Sequence, residues 1–363
     1  MEILLNLLGI SSPFYLEKIE KDETNKEVHL YLSIETSYTL GKNWTRHSMR
    51  SRKWEHLNWF EYRCFIHCDL PLFEHKKTGK TELMKVPFAL PNRRFTKKYE
   101  YKVLDYLLIV HNFKKVAKQL KISPQRVKGI YELYVNPAYE QHQVSACTRL
   151  GLDETSTKKG HNYLSCFVDM DNQKIIDIQE GRSSETISMF SEQHPNPDAV
   201  KEISMDMSPA FIKGVDKYFP NAEKTFDCWH VWRLIFKHIE KLQKKRNISR
   251  LQREKLQLII QEFKAFYQQK DWEQANTQLA FIIDFIRDTF GEKNKLAKSL
   301  HRHFKGIVQF VRSQLTNGLL EGINSKIQVI RKQARGFRYT DNFKKLILFV
   351  FGTIKPCLPT KFT

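Results

Sequence analysis

The sequence predicts a multi-domain α/β chain, α+β overall, in which a mixed sheet is interrupted by an all-α insertion. Three observations predict it. Apolar alternation of period two recurs through residues 1–92, strand and helix signals interleave over residues 148–231, and every strand signal is lost over residues 232–310. The chain has 363 residues, 41% hydrophobic and 12% aromatic, which excludes a disordered or low-complexity protein and supplies apolar side chains for about two to three cores.

The formal net charge is +20, unevenly spread: basic residues outnumber acidic ones in residues 1–147 and 232–363, and acidic ones outnumber basic in residues 148–231. An acidic centre between basic flanks suits a polyanion-binding protein whose centre holds cations, so nucleic acid is the expected partner. The apolar run from Ile3 to Ile10 follows Glu2 rather than a basic segment. The longest apolar stretch, 346–354, falls well short of the roughly 20 residues of a spanning helix, so neither export nor a membrane is expected. Cys64, Cys68, Cys147, Cys166, Cys228 and Cys357 are too scattered for a disulfide framework, and a reducing cytoplasm is the expected compartment. The sequons at Asn43 and Asn247 then carry no meaning. Gly79-Lys80-Thr81 is no phosphate loop, because Glu74 stands where its first glycine belongs.

Residues 1–92 form a small β-rich module. Runs such as Val28-His29-Leu30-Tyr31-Leu32-Ser33-Ile34 predict short antiparallel strands. Cys64, His67 and Cys68, with His75 beyond, offer soft and borderline ligands for zinc. No Cys-x-x-Cys pair accompanies them and both cysteines suit an apolar interior, so structural zinc is the weaker expectation. Residues 93–147 turn helical, with Val103, Leu104, Leu107 and Leu108, then Phe113, Val116, Ala117 and Leu120, then Val127, Ile130, Tyr131 and Tyr134 at helical spacing. Ser123 as N-cap and Pro124 at the first helical position give a tight turn before the last helix, the pattern of a helix-turn-helix. Gln125, Arg126 and Lys128 would then face a DNA groove, with Arg126 able to bond guanine bidentately.

In residues 148–231, strands are expected at 149–153, 163–169 and 174–179, a helix at 184–193, a strand at 202–206, a helix capped by Ser208 with Pro209 at its start, and a strand at 224–227. Three antiparallel strands followed by helix-linked parallel ones are the mixed sheet of the ribonuclease-H-like fold. Residues 232–310 are the insertion. Leu256, Ile259, Ile260, Phe263 and Phe266 share one helix face, and Ala275, Leu279, Ile282, Ile283 and Ile286 another, with Asp271 capping the second helix. Residues 311–354 return to the core through a helix at 316–332 that is apolar at Leu320, Ile323, Ile327 and Ile330 and polar at Asn317, Glu321, Asn324 and Gln328. Residues 355–363 are a tail.

Asp153 and Asp206 end strands that a mixed sheet can bring side by side, and Glu321 lies on the helix after the insertion. Three converging carboxylates repel unless hard cations sit between them. Two Mg²⁺ or Mn²⁺ ions about 3.5–4 Å apart satisfy the charge and an in-line phosphoryl displacement. Strand-end aspartates are also common turn formers. Glu154 is an alternative ligand expected on the opposite strand face, and Asp169 and Asp171 are expected in a hairpin turn.

Gly151-Leu152-Asp153-Glu154-Thr155, Lys159-Gly160-His161-Asn162-Tyr163-Leu164, Glu180-Gly181-Arg182, the run from Ser204-Met205-Asp206-Met207-Ser208-Pro209 to Lys213-Gly214-Val215, Phe226-Asp227-Cys228-Trp229-His230-Val231 and Leu320-Glu321-Gly322-Ile323-Asn324-Ser325-Lys326-Ile327 closely resemble, in order and separation, the ISL-three family of bacterial insertion-sequence transposases. The resemblance extends from Trp54-Glu55-His56-Leu57-Asn58 to Gly336-Phe337-Arg338. It implies a DDE core whose three acids fall on Asp153, Asp206 and Glu321. Two divalent cations, double-stranded DNA partners in the element's terminal repeats and target, strand cleavage and transfer, a homo-oligomeric synapse and a nucleoid-associated cytoplasmic location come with it. The family's amino-terminal zinc module has Cys-x-x-Cys pairs, where this chain has Tyr38-Thr39-Leu40-Gly41-Lys42. Asp227 and His230 resemble a short Asp-x-x-His motif of several DDE transposases. Lys158, Lys159, Lys326, Arg331, Lys332, Arg335 and Arg338 are the expected core-proximal DNA contacts. Two other readings are a helix-turn-helix regulator with an inactive core, against which the intact acids argue, and a stand-alone metal nuclease, against which the long insertion argues.

Overall fold

The computed structural model describes residues 5–6, 8–156, 163–244, 249–315, 318–333 and 339–356. The chain divides into two compact units, Met1–Ala138 with Lys355–Thr363, and Tyr139–Ile354.

The first unit opens with a five-stranded sheet, β1 (Phe14–Asp22), β2 (Glu27–Ile34), β3 (Trp44–Trp59), β4 (Tyr62–His75) and β5 (Thr81–Leu83), ordered β1-β2-β4-β3 with β5 beside β4. Strand period two puts Val28, Leu30, Leu32 and Ile34 of β2 and Cys64, Ile66 and Cys68 of β4 into one core. Two features depart from the expected short antiparallel strands: β2 and β4 pair in parallel, and β3 and β4 form a long hairpin. The first ten residues of β3 include none that are buried, so no apolar alternation announced its length. The same period separates the expected zinc set. Cys64 and Cys68 point into the core, where burial pushes their thiols up to about 12, while His67 lies on the other face with its Nε2 2.9 Å from His29 Nδ1.

Three helices follow: α1 (Lys97–Val110), α2 (Phe113–Leu120) and α3 (Pro124–Glu140). Thr96 and Asn112 cap the first two by accepting from Tyr99 and Lys115 backbone N–H groups. Lys121 ends α2 in the left-handed region at φ 53°, and Ser123 Oγ accepts from the Arg126 N–H at 3.4 Å as α3 begins at Pro124. Val127, Ile130, Tyr131, Tyr134 and Val135 are buried, which leaves Gln125, Arg126 and Lys128 exposed. The buried Glu100 of α1 accepts from Arg93 Nε and from the Tyr134 hydroxyl, both at 2.7 Å, and so holds α3 against α1.

The second unit is built on a five-stranded sheet of β6 (Arg149–Ser156), β7 (Tyr163–Asp169), β8 (Lys174–Glu180), β9 (Glu202–Met205) and β10 (Glu223–Phe226), ordered β10-β9-β6-β7-β8. β6, β9 and β10 run parallel, and β7 is antiparallel to both β6 and β8. α4 (Ser184–Gln193) precedes β9, and α5 (Pro209–Tyr218) links β9 to β10. In the β7–β8 turn Asp169 Oδ1 accepts from the backbone of Asp171 and Asn172. β6 runs past Asp153 to Ser156, whereas β9 and β10 stop one residue before Asp206 and Asp227.

Helices α6 (Cys228–Gln243), α7 (Arg250–Gln268), α8 (Trp272–Phe290), α9 (Lys295–Arg302) and α10 (Phe304–Ser313) make up the next stretch, and Asp271 caps α8 by accepting from the Gln274 N–H. α11 (Gly318–Gln333) buries Leu320, Ile323, Ile327 and Ile330, and α12 (Thr340–Phe351) follows. Gly151 lets α11 lie close on β6: a Cβ there would stand 2.5 Å from Met170 Sδ and 2.9 Å from Leu320 Cδ2.

Candidate active site

The sheet register lines up three aspartates. Gly151 pairs with Ser204 across β6 and β9, and Phe226 pairs with Met205 across β10 and β9. Continuing both pairings sets Asp153, Asp206 and Asp227 level in one row, on adjacent parallel strands or just past their carboxyl ends. Each has a local tie. Asp206 Oδ1 accepts from the Ser208 N–H at 2.8 Å, which turns the chain into α5. Asp227 is buried and caps α6 by accepting from the Trp229 N–H at 3.0 Å. Its other oxygen lies 3.8 Å from His230 Nε2, a ring partner that sequence alone does not name.

Asp153 and Glu154 carry the electrostatic signature of the row. Burial pushes the Asp153 carboxyl up to about 6. The Glu154 N–H bond and the His230 ring pull it down, while the charges of Asp206 and Asp227 push it further up. Glu154 is pushed up to about 7, by burial first and then by Asp206, with Arg182 opposing. Parity was expected to remove Glu154 from this set, but Asp206 lies beyond the end of β9, and its field reaches the carboxylates on both faces of β6.

The polar face of α11 zips onto β6. Asn324 Nδ2 donates to Asp153 Oδ2, Gln328 Nε2 donates to Thr155 Oγ1 at 2.7 Å, and Arg331 Nη1 donates to Ser156 O and Oγ. Asn324 Oδ1 is buried and has no hydrogen-bond partner among the described residues. Glu321, one turn before Asn324, is exposed in the first turn of α11, and its charge joins burial and Asp227 in raising the Cys228 thiol to about 11. Asp153, Asp206 and Asp227 thus form one electrostatic group, while Glu321 comes in beside Cys228. Among the described residues no three His, Cys, Asp or Glu side chains are gathered closely enough to hold a metal ion.

Of the expected DNA contacts, Lys326 and Lys332 are exposed on α11, but Arg331 is engaged by Ser156. Lys158, Lys159, Arg335 and Arg338 lie outside the described residues, as do Asn317 and Cys357. Sequence reasoning gave no role to Asn324, whose only signal was its place one turn from Glu321. It also passed over Tyr267 of α7, a buried phenol that feels the charges of Cys228 and Asp227.

Residues 150–261 and 251–347 match the DDE family of the ISL3 group described as "Transposase", and residues 84–135 match the "Helix-turn-helix domain of transposase family ISL3". The transposase for insertion sequence element IS1001 of Bordetella parapertussis is 25% identical over 341 residues, covering 82% of this chain and 84% of that protein. The transposase for insertion sequence element IS1557 of Mycobacterium tuberculosis is 21% identical over 380 residues, covering 87% of this chain and 85% of that protein. With family matches spanning more than half of its length over the acidic row, the helical stretch and α11, the chain is a member of the ISL3 (ISL-three) family of insertion-sequence transposases.

Proposed function

We propose that Asp153, Asp206 and Glu321 are the three acids of a DDE-type phosphoryl transfer by which this transposase cuts DNA at its element's ends and joins the freed 3′ ends to a target. The observation that carries the reading is Asp153: half-buried, held near pKa 6, level with Asp206 and tied through Asn324 to the helix that bears Glu321. On this reading the β6–β10 sheet with α11 is a ribonuclease-H-like core, interrupted by the helices of residues 232–310 and preceded by a β-rich module (1–92) and a helix-turn-helix (93–147). Asp227 and His230 are auxiliary groups beside the scissile phosphate. The protein works as a homo-oligomer on double-stranded DNA in the bacterial cytoplasm.

The donor set suits divalent cations. The Asp153 carboxylate, raised by burial and by the charges of Asp206 and Asp227, gains from a cation, and Asn324 Oδ1 is an unsatisfied hard oxygen acceptor beside it. Asp153, Asp206 and Glu321 would hold two Mg²⁺ or Mn²⁺ ions, which when bound supply charge neutralisation at the attacking and leaving oxygens. The chain's own residues set the geometry. The β6–β9 register places Asp153 beside Asp206, Gly151 admits α11, and the Gln328 and Arg331 bonds hold that helix in register. Gln125, Arg126 and Lys128 on α3, with Lys326 and Lys332 on α11, would hold DNA, together with Lys158, Lys159, Arg335 and Arg338.

The test is cleavage and joining of a duplex carrying the element's flanking sequence in Mg²⁺. Asp153→Asn, Asp206→Asn and Glu321→Gln should each lose activity by at least about a thousandfold while duplex binding stays within about threefold. Normal cleavage by Glu321→Gln beside an inactive Asp227→Asn would move the third acid to Asp227.

A further inference from the structure

A groove of about 910 Å³ opens between α5, β10 and the α9–α10 junction. Seven of its thirteen lining residues are Lys, Arg or His and one is acidic, so its charge is decided. Lys213 and Lys217 come from α5, Lys224 from β10, and Arg302 and Lys305 from the α9–α10 side. The acidic residue, Asp216, is paired with Lys224. Lys213, Lys217, Arg302 and Lys305 are exposed at the rim, and among the described residues none of them is ion-paired with an acidic side chain. The floor is apolar, made by Phe226, Ile212 and Phe304, with the His303 ring edge-on to Phe226 at 5.2 Å. Gly306 brings α10 against that floor, where a Cβ would stand 2.5 Å from the Phe226 ring.

The groove's position gives it a use. Pro209, at one end, is three residues beyond Asp206, and Phe226 directly precedes Asp227. Cations from three elements around an apolar floor suit phosphates at the rim and deoxyribose on the floor. We infer that this groove is a seat for the DNA backbone, a second nucleic-acid surface that guides the strand toward the carboxylate row. It rests on the reading of the chain as a DNA-cutting transposase but uses none of the residues assigned to cation or helix-turn-helix contacts.

The test is fluorescence anisotropy of the full-length protein with a random-sequence duplex of about 30 base pairs over a range of NaCl concentrations. Lys213→Glu with Lys305→Glu removes a cation from each wall. Lys174→Glu with Arg253→Glu makes the same charge change away from the groove. The groove pair should lose at least about tenfold in affinity at 100 mM salt and flatten the log–log salt slope by about 2, near 0.9 for each lost phosphate contact. The control pair should lose less than about threefold. Lys213→Gln with Lys305→Gln should fall between wild type and the Glu pair, which guards against a folding defect. Equal losses in the groove and control pairs, or none in the groove pair, would overturn the inference. Absence of salt-dependent duplex binding by the wild type would instead sink the DNA-cutting reading beneath it.

Discussion

Asp153→Asn should make the protein more stable while removing its chemistry. The Asp153 carboxyl stands at about 6 in the folded chain against an ordinary 3.8. A carboxyl raised on folding contributes no penalty below about pH 4, where it is protonated in both states. The cost grows between about pH 4, where the unfolded chain ionises, and pH 6, where the folded carboxyl ionises, and is complete at pH 7. At about 1.4 kcal/mol per pKa unit the shift corresponds to about 3 kcal/mol. The substitution does not recover all of it. Asp153 accepts from the Glu154 N–H on one oxygen and from Asn324 on the other, and an amide keeps one acceptor, so one bond worth about 1 kcal/mol is lost. The net gain is about 2 kcal/mol at pH 7.5, or about 4–8 °C for a unit of this size. Urea and thermal unfolding in EDTA from pH 4.5 to 8 should show the two proteins converging at low pH, drawing apart as pH rises toward 6 and keeping a constant difference above pH 7. Added Mg²⁺ should stabilise the wild type and leave the variant unmoved. A variant less stable at every pH, or a difference that ignores pH, would refute the electrostatic account of this carboxyl.

Two further outcomes follow from packing and exposure. Gly151→Ala should destabilise by about 1–3 kcal/mol, because its Cβ meets Met170 and Leu320, and should depress cleavage far more than DNA binding by displacing the turn that carries Glu321; unchanged melting and cleavage would show that α11 has room to move. Arg126→Ala should cost about 1–3 kcal/mol on the element's own ends but little on random duplex, as measured by competition binding, whereas equal loss on both would mean a phosphate contact rather than a base.

Local order was legible where a single period or cap sets it. β7 and α4 run between the residues that alternation and capping predict, and Pro124, Pro209 and Asp271 mark helix starts because missing donors and side-chain acceptors act within a few residues. The same strand logic put Asp153 and Asp206 on or next to strands of one sheet, although β6 runs on to Ser156 and β9 stops at Met205. Tertiary structure decided what depends on groups far apart in the chain. The parallel β2–β4 pairing is a matter of which edges meet, and strand pattern is blind to it. Level pairing across β6, β9 and β10 added Asp227 to the row, and the end of β9 let Asp206 reach Glu154. Asn324 bonds Asp153 across 171 positions, and Arg331, which sequence offers to DNA, is taken by Ser156. Composition dictated that acids and cations would be present in this chain. Which of them face one another was settled by backbone pairing and burial, whose energies arise only when distant segments share one core.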